Sequence, residues 1–186
     1  SVFLVGFVTS TADTQGTDFQ VVFPRNVELQ STNCNLSITV VNPNAVDVKV
    51  SFSYYKTLYD KTSLQSDSYS VPAGSLLTQF FPQFMAWEYM NGGFQDQFDT
   101  RIRVTTTEPV TIYANNYNAN GFGDSFLVLP HTMAGTSYSF TLPIPAANQN
   151  GVTQYAIAYI IPTTTDVNVE VTVGTWNEKR LVSCQI

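Results

Sequence analysis

The stretch Leu36-Ser37-Ile38-Thr39-Val40 decides the fold. Its apolar side chains alternate with hydroxyl-bearing ones. Because successive side chains of a strand point to opposite faces, this predicts a strand with one buried and one solvated side. Similar runs rich in Val, Ile, Thr, Tyr and Phe recur at 19–23, 46–55, 102–107, 110–115, 126–129, 155–161 and 167–173. The pairs Asn42-Pro43, Glu108-Pro109 and Asn120-Gly121 separate several runs and predict turns. The sequence therefore predicts an all-β fold of antiparallel β-sandwich units.

Composition excludes several classes of protein. The 186 residues are 44% hydrophobic and 13% aromatic, which is too rich for a disordered chain. The formal net charge is −6 and Lys and Arg do not cluster, so neither nucleic acid nor an anionic membrane is the expected partner. No run approaches the roughly 20 apolar residues that span a bilayer, so we expect no membrane insertion. Without an initiator Met or a signal-peptide pattern at Ser1, we expect a processed or excised piece.

An internal repeat organises the chain. Shifting the sequence by 119 positions superimposes identical residues without a gap: Gly16-Thr17 on Gly135-Thr136, Pro24 on Pro143, Pro43 on Pro162, Asp47-Val48 on Asp166-Val167, and Val50 on Val169. This spacing predicts two related β units in tandem, residues 1–120 and residues 121–186. The counterpart of residues 101–117 would lie beyond residue 186, so we expect the second unit to be incomplete. Either a longer protein or another chain would complete it.

Six short segments, in four groups, resemble in order the amino-terminal domain of the IgG Fc-binding protein family. They are GTDFQVVFPRN at 16–26, RVTTTEPVTIYAN at 103–115, FLVLP at 126–130 with GTSY at 135–138, and AIA at 156–158 with DVNV at 166–169. Members of that family are secreted, associated with mucus or matrix, and work by binding. The resemblance implies an extracellular, non-enzymatic binding or structural module with protein partners, and it carries over no binding residue. The family domain is longer than this chain, so functions that need its later part are not implied.

The sequence offers little for catalysis or metal binding. His131 is the only histidine, so a zinc site with two His ligands cannot be built, and a loop histidine bonded to backbone is the favoured interpretation. Asp96 and Asp99 are candidates for a calcium site, but a solvated loop explains them better. No phosphate loop, nucleophile elbow or CxxC motif occurs. We therefore predict no enzyme, no catalytic residue, no cofactor and no metal.

The sequence suggests two covalent modifications, a disulfide and an N-linked glycan. Cys34 and Cys184 both have inward parity in their runs, which permits a disulfide worth roughly 4 to 5 kcal/mol in the chain-entropy model. Two buried free thiols, or a Cys184 that pairs outside the chain, remain open. Asn35-Leu36-Ser37 is the only N-glycosylation sequon, and Asn35 has outward parity. An unused sequon is the alternative.

The most aromatic segment spans residues 79–98 and is a candidate interaction surface. The favoured interpretation, however, is that its rings are buried and fill the end of the sandwich or the seam between the two units, because aromatic side chains are usually buried. The candidate residues are Phe84, Trp87, Tyr89 and Phe94. Two other functions stay open beside the binding module. One is a self-assembling component of an extracellular fibre, coat or adhesive, and the other is a carbohydrate-binding module that uses Trp87 and Tyr89 to bind glycans.

Overall fold

The computed structural model describes residues 14–24, 34–55, 64–86, 99–118, 123–140, 159–163, 167–174 and 179–185. The chain divides into two compact units, residues 1–134 and residues 135–186. Strands of the first unit are β1 Gly16–Val21, β2 Cys34–Val41, β3 Val48–Tyr55, β4 Leu64–Val71, β5 Leu76–Phe81, β6 Ile102–Asn118 and β7 Gly123–Val128; those of the second are β8 Asn168–Gly174 and β9 Lys179–Gln185. Two short 3-10 turns occupy Gln83–Met85 and His131–Met133. All strand ladders are antiparallel, which confirms the all-β prediction for the described residues.

The long strand β6 joins the two halves of the first unit's sheet. Its first part, residues 102–106, pairs with β1 on one side and β3 on the other, and β4 adds to β3. Its second part, residues 111–118, pairs with β2 and β7, and β5 adds to β2. The result is one curled seven-stranded sheet in which β7 and β1 both lie against β6. Because β7 pairs within this sheet, the first unit extends past β7 and ends at residue 134.

The turn predicted at Glu108-Pro109 is wrong, because β6 runs through these residues without reversing. Both residues are exposed and lie where β6 changes its partners. A proline is tolerated in a strand where its nitrogen has no ladder bond to donate, and its fixed φ suits an extended chain. The loop predicted at Asn42-Pro43 does separate β2 from β3, whereas Asn120-Gly121 lies outside the described residues.

The inner faces of all seven strands meet in one hydrophobic core. Leu36, Ile38 and Val40 are fully buried there, as the alternation of their stretch predicts. Phe81 lies among other rings, with centroids 5.6 Å from Phe52 and 5.2 Å from Tyr54 in edge-on arrangements that aromatic pairs favour. This core fixes which side of each strand faces outward.

The described part of the second unit contains the hairpin of β8 and β9. Val169 and Val171 on β8 are half-buried, while Glu170 and Thr172 between and beyond them are exposed. The alternation is that of a strand with one apolar side. Among the described residues, no helix is long and apolar enough to cross a membrane.

Candidate binding face

The residues predicted to form an interaction surface are only partly described. Trp87, Tyr89 and Phe94 lie outside the described residues, and Phe84 is half-buried against the core. The backbones of Cys34 and Cys184 lie in β2 and β9, but their side chains are outside the described set, so their pairing stays a prediction. Asn35 is exposed on the outer side of β2.

An uncharged surface covers the outer side of β7, β6, β2 and β5, which lie side by side in that order. Side chains that point away from the core share this surface, and cross-strand register fixes their neighbours. We call it the neutral face. It consists of Asn35, Ser37, Thr39 and Val41 on β2; Leu76, Thr78 and Phe80 on β5; Thr111, Tyr113, Asn115 and Tyr117 on β6; and Gly123, Ser125 and Leu127 on β7. None of these residues carries a charge.

Large apolar and aromatic side chains stand exposed on the neutral face. Their exposed fractions are 63% for Leu76, 62% for Phe80, 50% for Tyr117, 43% for Tyr113 and 37% for Leu127. Single exposed apolar residues are ordinary on soluble proteins. Five of them on one side of a sheet are different, since apolar patches on a protein surface mark interaction sites.

A row of polar side chains crosses the middle of the neutral face. The Ser125 hydroxyl donates to Asn115 Oδ1 at 2.6 Å, and Asn115 Nδ2 directs longer bonds of 3.4 Å to Ser37 Oγ and to Thr39 Oγ1. Thr39 Oγ1 and Thr78 Oγ1 are 3.0 Å apart and share a further hydrogen bond. These groups satisfy one another across four strands. Covering them therefore costs less than covering the same groups unpaired, because an unmet hydrogen bond is the main penalty of burial.

Tyr117 lies close beside a glycine at one end of the neutral face. A Cβ on Gly123 would stand 2.7 Å from Tyr117 Cδ2 and 3.3 Å from Tyr117 Cα, so only glycine lets the tyrosine approach so closely. The ring thus covers the backbone of β7 while half of the residue remains exposed. Asn35 lies directly across the β2–β6 ladder from this tyrosine.

The outer side of β1, β6, β3 and β4 is charged, in contrast to the neutral face. Arg103 on β6 forms a bidentate ion pair with Asp18 on β1. Its Nε donates to Oδ1 at 3.0 Å and its Nη2 donates to Oδ2 at 2.9 Å. This hydrogen bonding, opposed by partial burial, holds the pKa of Asp18 below its ordinary value. Lys49 is exposed on β3 of the same half. Charge therefore distinguishes the two outer surfaces.

His131 lies on the charged side, and the described residues around it form no catalytic group. Its Nδ1 lies 3.3 Å from Asp18 Oδ2, on a carboxylate that Arg103 already holds. Its Nε2 is buried without a hydrogen-bond partner in the described part of the chain. The favoured interpretation of His131 as a loop histidine bonded to backbone is not what the geometry gives, because its contact is to a side-chain carboxylate. Nucleophilic or acid–base catalysis needs a nucleophile or a second acid beside the base, whereas among the described residues the His131 side chain has a polar contact only with Asp18, which Arg103 already binds.

Of the two acidic residues considered for calcium, only Asp99 is described, and it is bound to Arg101. Asp99 accepts from Arg101 Nε at 2.9 Å and Nη2 at 2.8 Å, and Asp96 is outside the described residues. Burial raises the pKa of Asp99, but the hydrogen bonds from Arg101 lower it by more, so the net pKa lies below its ordinary value. Within the described ranges, no three His, Cys, Asp or Glu side chains are grouped to hold a metal ion.

Comparison with protein-family models, with curated proteins and with solved structures finds no match to this chain. The neutral face was not predicted from sequence. One signal for it is present in the run from Thr111 to Tyr117, where aromatic residues hold the outward parity that polar residues usually occupy. Recognising the face as a surface also requires the pairing of β2, β5 and β7, which lie in distant parts of the chain.

Proposed function

We propose that this chain is a non-enzymatic extracellular binding module that contacts a partner protein through the neutral face. The observation that carries the proposal is a four-strand surface with five exposed apolar or aromatic side chains and no charge. Buried centres of protein interfaces are enriched in aromatic residues and depleted in charged ones. The neutral face has that composition while the chain as a whole carries a net charge of −6.

The polar row supports a protein partner over a sugar. Sugars are held by side chains that donate and accept free hydrogen bonds, but both Asn115 amide hydrogens and its carbonyl are directed at neighbouring hydroxyls. A surface whose polar groups are already bonded is better suited to be covered by apolar and aromatic groups. Phe80 and Tyr113 would then act as anchors on either side of the row.

The resemblance to the IgG Fc-binding protein family supports the same class of function and a secreted location. Two of the resembling segments lie in the framework of the first unit, since residues 16–26 include β1 and residues 103–115 lie within β6. We propose a role in protein or matrix interactions, including adhesion, of the kind that the family performs. Purified IgG Fc is the first partner to test.

A tandem repeat of β-sandwich units is part of the proposal. Strand β8, Asn168–Gly174, occupies the positions that a shift of 119 assigns to β3, Val48–Tyr55, and each strand forms a hairpin with the next. The connection is shorter in the second hairpin, residues 175–178 against 56–63 in the first. The shift of 119 relates residues 135–140 to β1, but these residues form no strand. The hairpins are therefore the strongest support for the repeat.

The test compares one substitution on the neutral face with the same substitution elsewhere. Partners captured on the immobilised native chain are purified, and their affinity is measured for native, Tyr113→Arg and Leu64→Arg proteins. Tyr113→Arg puts an unpaired cation under any protein that covers the neutral face, so we expect at least a roughly tenfold loss, about 1.4 kcal/mol. Leu64 is 60% exposed on β4, on the charged side, and its variant should bind as the native chain does. Equal binding by all three proteins contradicts the proposal.

Self-assembly is the second candidate function, and the β8–β9 hairpin favours it. Among the described residues, β8 and β9 pair only with each other, and isolated two-strand hairpins are marginally stable in water. A neighbouring chain that packs on the apolar side of β8 would bury Val169 and Val171. Light scattering on the full chain over a concentration series tests this. Val169→Lys should lower the association, while Glu170→Lys on the opposite side should not; a monodisperse native monomer removes the candidate.

A further inference from the structure

Asn35 stands where an attached sugar would lie on the neutral face. It is the acceptor of the sequon Asn35-Leu36-Ser37 and is exposed on the outer side of β2. The ladder between β2 and β5 ends at the pair of Leu36 with Phe81, so no β5 residue is paired with Asn35.

Tyr117 gives a sugar on Asn35 a surface to rest on. The two residues are direct partners across the β2–β6 ladder, a geometry that places their Cβ atoms about 4.5–5.5 Å apart. The ring of Tyr117 lies over Gly123 and leaves half of the residue exposed. An aromatic face next to the point of attachment can contact the apolar side of the first sugar ring. Uncharged neighbours on the neutral face offer no competing ionic contact.

We infer that Asn35 is an N-glycosylation site whose glycan lies over the Tyr117 end of the neutral face and limits access to it. The whole inference rests on the proposed extracellular location, and its regulatory half also rests on the proposed binding function. The donor is a lipid-linked diphosphate oligosaccharide. The bond from its sugar C1 to the diphosphate oxygen breaks, C1 bonds to Asn35 Nδ2, and the amide loses one proton as the lipid diphosphate leaves, with no change of oxidation state.

The burial of Ser37 indicates that glycosylation of Asn35 takes place before the chain folds. The residue is only 7% exposed in the folded chain, and its hydroxyl is within 3.4 Å of Asn115 Nδ2. The sequon hydroxyl is therefore accessible before β2 pairs with β6, and the transfer precedes folding.

The experiment expresses the full chain behind a secretion signal in eukaryotic cells, as native, Asn35→Gln, Ser37→Ala and Ser37→Thr proteins. Intact masses are measured before and after treatment with a peptide amidase that removes N-glycans. Native and Ser37→Thr proteins should carry extra mass that the amidase removes, because threonine preserves the sequon. Asn35→Gln and Ser37→Ala proteins should carry none. A native protein without the extra mass overturns the inference and leaves the binding proposal intact, because the Tyr113→Arg test does not involve Asn35.

The position of the glycan has its own readout. Hydroxyl-radical oxidation of Tyr117 should be slower in the glycosylated native protein than in Asn35→Gln, while Leu64 on the charged side is oxidised equally in both. Affinity for the captured partner should be lower for the glycosylated protein. A glycan that leaves both Tyr117 oxidation and partner affinity unchanged overturns its placement on the neutral face. If the neutral face binds no partner, masses and oxidation rates still decide the modification and its position.

Discussion

At the scale of single residues, burial and one neighbouring carboxylate set the pKa of Tyr54. Its hydroxyl donates to Asp67 Oδ2 at 2.8 Å, and Asp67 Oδ1 also accepts from Gln65 at 3.0 Å. Burial first, and then the bond to Asp67, raises the pKa of Tyr54 to about 12. Both effects disfavour a phenolate, which would lose solvation and stand against a negative charge.

The raised pKa predicts a loss of stability in alkali. The protonated phenol stabilises the fold fully below pH 10, the ordinary pKa of an unfolded tyrosine, and this contribution is lost as the pH rises toward 12. Its limit is about 1 to 2 kcal/mol, because solvent near the hydroxyl screens part of the interaction. Denaturant unfolding of native and Tyr54→Phe proteins across this range should give a steeper alkaline decline for the native protein. Parallel declines would show that Tyr54 does not titrate as described.

Gly16 gives a second prediction at this scale, because its neighbour leaves no room for a side chain. A Cβ on Gly16 would overlap the Cβ of Pro130, a rigid atom that cannot rotate away. Gly16→Ala should lower the free energy of unfolding by about 1–3 kcal/mol, the usual cost of overpacking. Gly135→Ala is the matched control, since its Cβ would meet nothing closer than 3.7 Å. Thermal unfolding of the two variants tests this, and an equal midpoint for both contradicts it.

At the scale of elements, one buried side chain ties two connections together. Asn42 follows β2 and is 1% exposed, and its Nδ2 lies within 3.0 Å of the carbonyl oxygens of Val46, Val71 and Pro72. Its Oδ1 accepts from both nitrogens of Asn44 at 2.9 Å. The β2–β3 loop is thereby fixed to the end of β4.

Removal of this amide should loosen both connections. Asn42→Ala leaves buried carbonyls without their donor, so we expect a loss of about 2–3 kcal/mol of unfolding free energy. Asn44→Ala also removes a bond to Pro109, but from a more exposed position, and should cost less. Urea unfolding gives the comparison. A larger loss for Asn44→Ala than for Asn42→Ala would contradict the role of Asn42.

Alternation in the sequence predicted some elements and failed for others, for physical reasons. Strands β2, β3 and β8 have apolar residues at every second position and were predicted. Strand β4 was not, because its outward Leu64, Ser66, Ser68 and Ser70 are exposed and only Val71 is fully buried, so an edge strand leaves a weak hydrophobic signal. The continuity of β6 at Glu108-Pro109 was also missed. It depends on a change of partner strands that local sequence does not encode.

At the scale of the whole molecule, the distribution of charge over the first unit is the feature most relevant to function. The ion pairs of Arg103 with Asp18 and of Arg101 with Asp99 lie away from the neutral face, where the polar side chains of the central row bond to one another. Composition predicts the net charge but not this separation. The neutral face depends on register between strands far apart in the chain, and register is set by packing of the core.

Hydroxyl-radical footprinting of the chain bound to its purified partner tests the central claim most directly. The account predicts slower oxidation of Phe80, Tyr113, Tyr117 and Leu127 in the complex than in the free chain, with Leu64 on the charged side unchanged. Protection of Leu64 with no protection of the four neutral-face residues would contradict it.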